Sequence, residues 1–368
     1  MTPQEARYLA LLVHKGFLLE DQARQMMAQR QEGEALPAVL ARLGFLPAEE
    51  AERLWDNEVG EKPGLTRYEL LERIGAGITA TVWKARDEQG NVVAIKLLRE
   101  EQARSPHKRK RFVEEARILC DLAHPGIVAG HRVAKDQGQY FLVMDHIEGR
   151  TLEDILLEDG VLSEDEALSA VFQIAEALRY LRSQGLVHRD IKPGNMMRDD
   201  RGHVQLIDLG FATKEGSGDA TATTQGTVQY IAPEQARGEA ELDSRADIYA
   251  LGASLYHMCT GQLPFEGQDS QEILAKQVAL ELSSARIREL GLTAQLHYFI
   301  EKMMAKEKEI RYQGPEELLE DLQEKCGDRS FMQQALRPEP KSTGIPPIVR
   351  KRGRRGRPAG KAGRRRRR

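Results

Sequence analysis

The sequence predicts an α+β fold: one mixed domain over residues 68–325, with a small helical module before it and a charged tail after it. Three observations carry this. Short apolar, strand-like runs recur at 68–74, 93–96 and 140–144, and a stretch at 109–122 has helical periodicity. The chain holds 368 residues, 40% of them apolar, which is enough for one domain of that size with appendages.

The first sixty residues hold an internal repeat. Lys15-Gly16-Phe17-Leu18-Leu19-Glu20-Asp21-Gln22-Ala23 aligns with Leu43-Gly44-Phe45-Leu46-Pro47-Ala48-Glu49-Glu50-Ala51 at a spacing of 28. Each half reads as a helix, a glycine turn, and a second helix that begins near an acidic turn. The pattern resembles the N-terminal helical module of type II secretion and pilus ATPases, some of which bind cyclic di-GMP. The basic Arg-Leu-Gly starts of that ligand site are largely missing here. The preferred reading of residues 1–60 is therefore a regulatory or interaction bundle with a protein partner. Residues 61–67 are expected to be a linker.

Residues 68–74 alternate like a strand and run into Gly75-Ala76-Gly77-Ile78-Thr79-Ala80-Thr81-Val82. Glycine has no Cβ, so such a loop lets backbone N–H groups approach a phosphate closely. Val93-Ala94-Ile95-Lys96 lies on the next apolar strand, and Phe112, Ala116, Leu119 and Ala123 share one face of the helix that follows. A third apolar run, 140–144, passes into Asp145-His146-Ile147-Glu148-Gly149.

The chemistry concentrates further on. His188-Arg189-Asp190-Ile191-Lys192-Pro193-Gly194-Asn195 is followed, eighteen residues after Asp190, by Asp208-Leu209-Gly210. One Asp can orient a hydroxyl nucleophile, while an Asn and a second Asp supply the hard oxygen ligands that Mg²⁺ prefers. A polar turn between two strands could carry His-Arg-Asp alone. The full octet with Asp208 in place is far harder to reach by chance.

In this order the motifs resemble those of protein kinases, in particular the bacterial Hanks-type serine/threonine kinases, over about residues 68–325. Lys192, two residues after Asp190, matches the serine/threonine rather than the tyrosine pattern. The resemblance implies the two-lobed kinase fold: an antiparallel sheet plus one helix in the N-lobe, and a helical C-lobe. It implies ATP as phosphate donor, protein substrates, and Mg²⁺ as cofactor, with Mn²⁺ an alternative. Asp190, Lys192 and Asn195 would be catalytic, and Asn195 with Asp208 would hold the metal. Leu209 stands where that triplet usually has Phe. Gly75, Ala76, Gly77 and Val82 would cover the nucleotide, with Ala80 in place of a third glycine. Ala94 and Lys96 would meet the adenine and the phosphates. Lys96 needs an acidic partner on the helix. Glu115 is preferred to Glu114, which lies about 100° round the helix and faces solvent more. Met144 would be the gatekeeper, and the main chain of Asp145 and Ile147 would read adenine.

The small, polar run 213–227 and the closing Ala232-Pro233-Glu234 resemble an activation segment. Thr221, Thr223 and Thr224 lie where phosphorylation would fall, and Arg189 would supply the cation that orders a phosphothreonine. Thr227 would bridge Asp190 and Lys192. Asp247 would anchor the catalytic loop, and Arg311 would pair with Glu234.

Three widely spaced cysteines, Cys120, Cys259 and Cys326, read as reduced thiols in packing roles. The start Met1-Thr2-Pro3-Gln4-Glu5 carries no secretory pattern. The longest weakly charged run, 248–265, contains His257, Gly261 and Pro264 and falls on an expected internal helix. A cytoplasmic protein without a membrane span is the expectation.

Residues 341–368 hold 13 Lys/Arg and no acid, which leaves 41 Lys/Arg against 57 Asp/Glu elsewhere. An acidic body therefore carries a basic tail, 350–368, behind a proline-bearing linker, 326–349. Within the tail Arg354-Arg355-Gly356-Arg357-Pro358 resembles an AT-hook core, which inserts Arg into a narrow A·T minor groove. Nonspecific polyanion binding and folding back onto the acidic body stay open, and a DNA contact would imply nucleoid association. The expected function is an ATP-dependent serine/threonine kinase of intracellular signalling, activated by autophosphorylation. The rivals are a pseudokinase and a DNA-associated scaffold.

Overall fold

The alternation seen from residue 68 onward becomes three antiparallel strands: β1 (Tyr68–Ala76), β2 (Ala80–Asp87) and β3 (Val92–Leu98). This is a computed structural model, and it describes residues 2–31, 33–58, 62–210, 212–214, 228–239, 241–282, 291–330 and 332. Two more strands, β4 (Gly130–Asp136) and β5 (Gln139–Asp145), complete a five-stranded sheet in the order β1-β2-β3-β5-β4. β3 shows the period of two that a strand imposes. Ala94 and Leu98 face the helix side, while Val93, Ile95 and Leu97 face an outer core with Trp83, Phe141 and Val143. Both faces are covered, so β3 is apolar almost throughout.

After the four-residue helix α5 (Glu100–Ala103), α6 (Pro106–Asp121) begins at Ser105, whose Oγ accepts from the Lys108 amide, with Pro106 at its first position. It buries Phe112, Ala116 and Leu119 against the sheet. Ala123, expected on that face, lies beyond the helix and is exposed. The helix stops at Asp121 with Leu122 extended, and Pro125 disfavours helical backbone at His124.

The C-lobe is helical, as the fold class requires. A short strand β6 (Gly149–Thr151) leads into α7 (Leu152–Glu158). α8 (Glu164–Ser183) starts on a Ser163–Glu166 capping box and buries Leu168, Val171, Ala175 and Leu178. β7 (Leu186–Val187), β8 (Met196–Asp199), β9 (Val204–Leu206) and β10 (Thr213–Lys214) are short, and β8 pairs with both β6 and β9. They frame the loop that carries Asp190. α9 (Pro233–Ala236) is one turn. α10 (Ser244–Thr260) is buried along nearly its whole length and ends at Gly261, whose left-handed φ of 66° suits glycine. α11 (Ser270–Ala279), α12 (Ala294–Met303) and α13 (Pro315–Cys326) pack around it or behind α8. Among the described residues no helix is long and apolar enough to cross a membrane.

The N-terminal repeat forms α1 (Pro3–His14), α2 (Glu20–Ala28), α3 (Leu36–Arg42) and α4 (Ala48–Glu58). Gly16 and Gly44, 28 residues apart, both turn at positive φ, 78° and 74°. After each turn a Phe amide, that of Phe17 or Phe45, donates to the carbonyl of Leu12 or Leu40. The four helices close their own core around Tyr8, Leu12, Leu18, Met26, Leu40 and Leu46. Residues 62–67, expected to be a linker, are mostly exposed but touch the sheet. Leu65 is buried in the outer core of the sheet, and the Thr66 amide donates to Asp136 Oδ2 at 2.6 Å.

Candidate active site

The loop 188–195 is held from beneath. α10 is buried on all sides, so its Asp247 cannot reach solvent, and its two carboxylate oxygens accept from the amides of His188 (2.8 Å) and Arg189 (2.7 Å). Burial pushes the Asp247 carboxyl up, while His188, Arg189 and these amides pull it down; the net direction is upward. Arg189 adopts φ 70° between these anchors, and its carbonyl accepts from Gln235 Nε2 at 3.2 Å.

This loop presents its polar groups to the cleft. Asn195 Nδ2 donates to the Asp190 carbonyl and to Asp190 Oδ2, both at 2.8 Å. Lys192 Nζ lies 3.0 Å from the same carboxylate oxygen. Asp190, Lys192 and Asn195 thus form one cluster. The Asn amide is oriented by its own NH₂ group, and its Oδ1 is the atom it can offer to a cation. Glu153 of α7, which residue-by-residue reading missed, joins this edge: a Cβ on Gly194 would meet its Oε2 at 2.5 Å. Burial pushes the Glu153 carboxyl up, and the Lys192 charge opposes this. In the sequence Glu153 looks like an ordinary acid in a first helical turn, which hid it.

Across the cleft, Lys96 Nζ donates to Asp208 Oδ1 at 2.7 Å. The amide of Gly210 donates to that oxygen too, at 2.9 Å. Burial pushes the Asp208 carboxyl up, but the Lys96 charge, these hydrogen bonds and His188 outweigh it and hold it below the usual carboxylate range. The side chain is 40% exposed, on the cleft.

The expected pairing of Lys96 with Glu115 is not formed. Glu115 Oε1 instead accepts from Arg111 Nε at 2.8 Å, one turn back on α6, and Arg111 Nη2 donates to the Gly210 carbonyl at 3.4 Å. The competing partner is local: Arg111 and Glu115 sit at i and i+4, neighbours on any helix. That spacing was visible in the sequence. Glu115 still lines the same cavity as Lys96, Met144 and Asp208. Burial pushes its carboxyl up to about 7, against the pull of Arg111 and Lys96. Glu114 is exposed and lies 3.7 Å from Lys110.

Gly75, Ala76, Gly77 and Val82 lie at the β1–β2 turn, where the Gly77 amide donates to the Ala80 carbonyl at 2.8 Å. Ala94 and Met144 face each other in register between β3 and β5. The Asp145 amide donates to the Ala129 carbonyl and its carboxylate pairs with His131 at 2.7 Å; Ile147 packs partly buried against the core. Thr221, Thr223, Thr224 and Thr227 lie outside the described residues, as do Arg354, Arg355, Gly356, Arg357 and Pro358. Arg311 and Glu234 form a buried bidentate pair at 2.6 and 2.8 Å. The three cysteines carry free thiols, and burial pushes that of Cys259 up to about 12.

The donor set suits a hard divalent cation. Asn195 Oδ1 and the Asp208 carboxylate are both oxygen ligands, and a Mg²⁺-type site needs only one or two such protein groups beside phosphate oxygens. Among the described residues no group of three or more His, Cys, Asp or Glu converges as a metal cage of its own.

Comparison with known proteins shows the family. The family model of the protein kinase domain matches residues 68–323. Serine/threonine-protein kinase PrkC of Bacillus subtilis is 36% identical over 259 residues, 70% of this chain and 40% of that relative. Serine/threonine-protein kinase PknB of Mycobacterium tuberculosis is 36% identical over 265 residues, 70% of this chain and 42% of that relative. The chain thus spans about two fifths of the length of these curated relatives.

Proposed function

The chain belongs to the protein kinase family, and on that premise we propose that it transfers the γ-phosphate of ATP to serine or threonine hydroxyls of proteins. The observation that carries this is the clustering of Lys192 and Asn195 on the Asp190 carboxylate next to the Lys96–Asp208 pair, with the Ile207 amide donating to the Asn195 carbonyl at 3.1 Å. Asp190 Oδ1 would accept the hydrogen bond of the substrate hydroxyl, while Oδ2 is fixed by Asn195 and Lys192. Lys192, beside that oxygen, would steady the phosphoryl group in transfer. Lys96 would exchange Asp208 for nucleotide phosphates. Asn195 and Asp208 would hold Mg²⁺, or Mn²⁺, whose charge offsets that of the phosphates. Ala94, Val82 and Met144 would bound the adenine, with the main chain of Asp145 and Ile147 at its edge.

The pairing of Glu115 with Arg111 favours a switched enzyme. Full activity would require Glu115 to move from Arg111 to Lys96. Phosphorylation at Thr221, Thr223 or Thr224, read by Arg189, is the trigger we propose. Protein substrates, a protein partner for residues 1–60, a cytoplasmic location and a polyanion partner for the basic tail complete the reading.

One labelling reaction tests it. With ATP, Mg²⁺ and a generic basic protein, the full chain should label substrate and itself, and Asp190→Asn should lower both rates by roughly 10²- to 10⁴-fold. Equal labelling by wild type and variant would sink the assignment. Phosphopeptides should map within 213–227, and a fully active chain with no phosphate there would refute the trigger.

A further inference from the structure

One face of α4 is spent on the glycine-rich strand. Glu49, Glu52 and Asp56 stand at helical spacing i, i+3 and i+7. Asn57 Oδ1 accepts from the Arg73 amide, and its Nδ2 donates to the Arg73 carbonyl at 3.2 Å. A side chain thus does for the edge strand β1 what a neighbouring strand would do. Asp56 pairs with the Arg73 guanidinium, which is only 1% exposed, and Glu52 lies 3.4 Å from it. Glu52 also lies 3.6 Å from Arg99, whose Nε donates to the Gly77 carbonyl at 2.9 Å.

At the end of this row, Glu49 Oε1 accepts from the Ala76 amide at 3.1 Å, inside the glycine-rich turn itself. Carboxylate and phosphate oxygens seek the same donors.

We propose that Glu49 is a positioning residue that ties the glycine-rich loop to the N-terminal module, so that nucleotide phosphates must compete with a carboxylate for the loop. The module is then a clamp that sets the affinity for ATP, and a partner that lifts α4 tightens nucleotide binding. This rests on the reading of residues 75–82 as the nucleotide loop.

The test uses the full chain and two probes, a non-hydrolysable ATP analogue with Mg²⁺ and adenosine. Glu49→Ala should tighten the analogue by roughly 3- to 10-fold, and Glu49→Gln by less, because it loses the charge but keeps an acceptor. Adenosine, which has no phosphates, should bind all forms alike. KM for ATP should fall by the same factor with kcat unchanged, and Asp21→Asn, on the exposed face of α2, should change nothing. Analogue affinity that stays level or weakens in the Glu49 variants overturns the clamp. So does an equal gain for adenosine, which marks a merely structural role. If the Glu49 variants tighten the analogue but no form transfers phosphate, the clamp stands and the kinase reading falls. If phosphate transfer proceeds and the Glu49 variants are silent, the kinase reading stands alone.

Discussion

At the scale of single residues, Arg189 and Glu115 each hold a state they would not choose in isolation. A left-handed backbone costs an ordinary side chain about 1–2 kcal/mol, and Arg189 accepts it because Asp247 fixes its amide. Glu115 is half-buried, and desolvation pushes its carboxyl up to about 7. The sign follows from linkage. Its folded value lies above the unfolded one, so the fold loses stability as pH rises from the unfolded value through about 7. Glu115→Gln should escape that loss. Its stability relative to wild type should grow between pH 5 and pH 8, by on the order of 2–3 kcal/mol in urea melts. Parallel curves for the two proteins would contradict the buried state of this carboxyl. The charges that gather at Asp190 and Asp208 were legible in the sequence because they sit in two short contiguous motifs. The partner of Glu115 was not, because a long-range lysine and a neighbouring arginine compete for one carboxylate and only geometry decides.

At the scale of elements, strands and helices were legible where a period ran unbroken, as in β3 and α6. They failed at edges: α6 stops before Ala123. Arg73 is the clearest case. In an alternating strand it reads as a solvated charge, yet it is buried under α4, because the acids that receive it lie on a different module. Arg311 and Glu234 make the complementary point. Their pair ties α9 to the segment before α13, and the Arg311 guanidinium also donates to the carbonyls of Ala305, Lys306 and Arg245. Arg311→Ala leaves a buried carboxylate without its cation and should cost about 3–5 kcal/mol in denaturant unfolding. Replacing both members by apolar residues of similar volume should cost much less. A loss below 1 kcal/mol for the single variant would mean that water reaches Glu234.

At the scale of the whole molecule, charge divides the chain. The body carries an excess of sixteen acids, and the last 28 residues carry thirteen bases. If the tail serves a nucleic acid, removing residues 341–368 should abolish duplex binding and leave peptide phosphorylation intact. Binding by the full chain should then fall with salt, with a log–log slope of roughly −0.9 per phosphate contacted. A preference for A·T-rich duplexes that Arg355→Ala and Arg357→Ala erase would support the minor-groove reading, while binding blind to base composition would reduce the tail to a polycation. No binding at moderate salt would point to the acidic body as its partner. The N-terminal module also differs in how its contacts are spread along the chain. Its core closes within the first 58 residues, whereas the loop at Arg189 must wait for Asp247, 58 residues after it. Local cores form fast, and chains leave the ribosome N-terminus first. A core of such local contacts can close before the sheet that rests on it. On the proposed clamp, Arg73 would then come to rest on a finished surface, and the glycine-rich loop would be held before the cleft beneath it is complete.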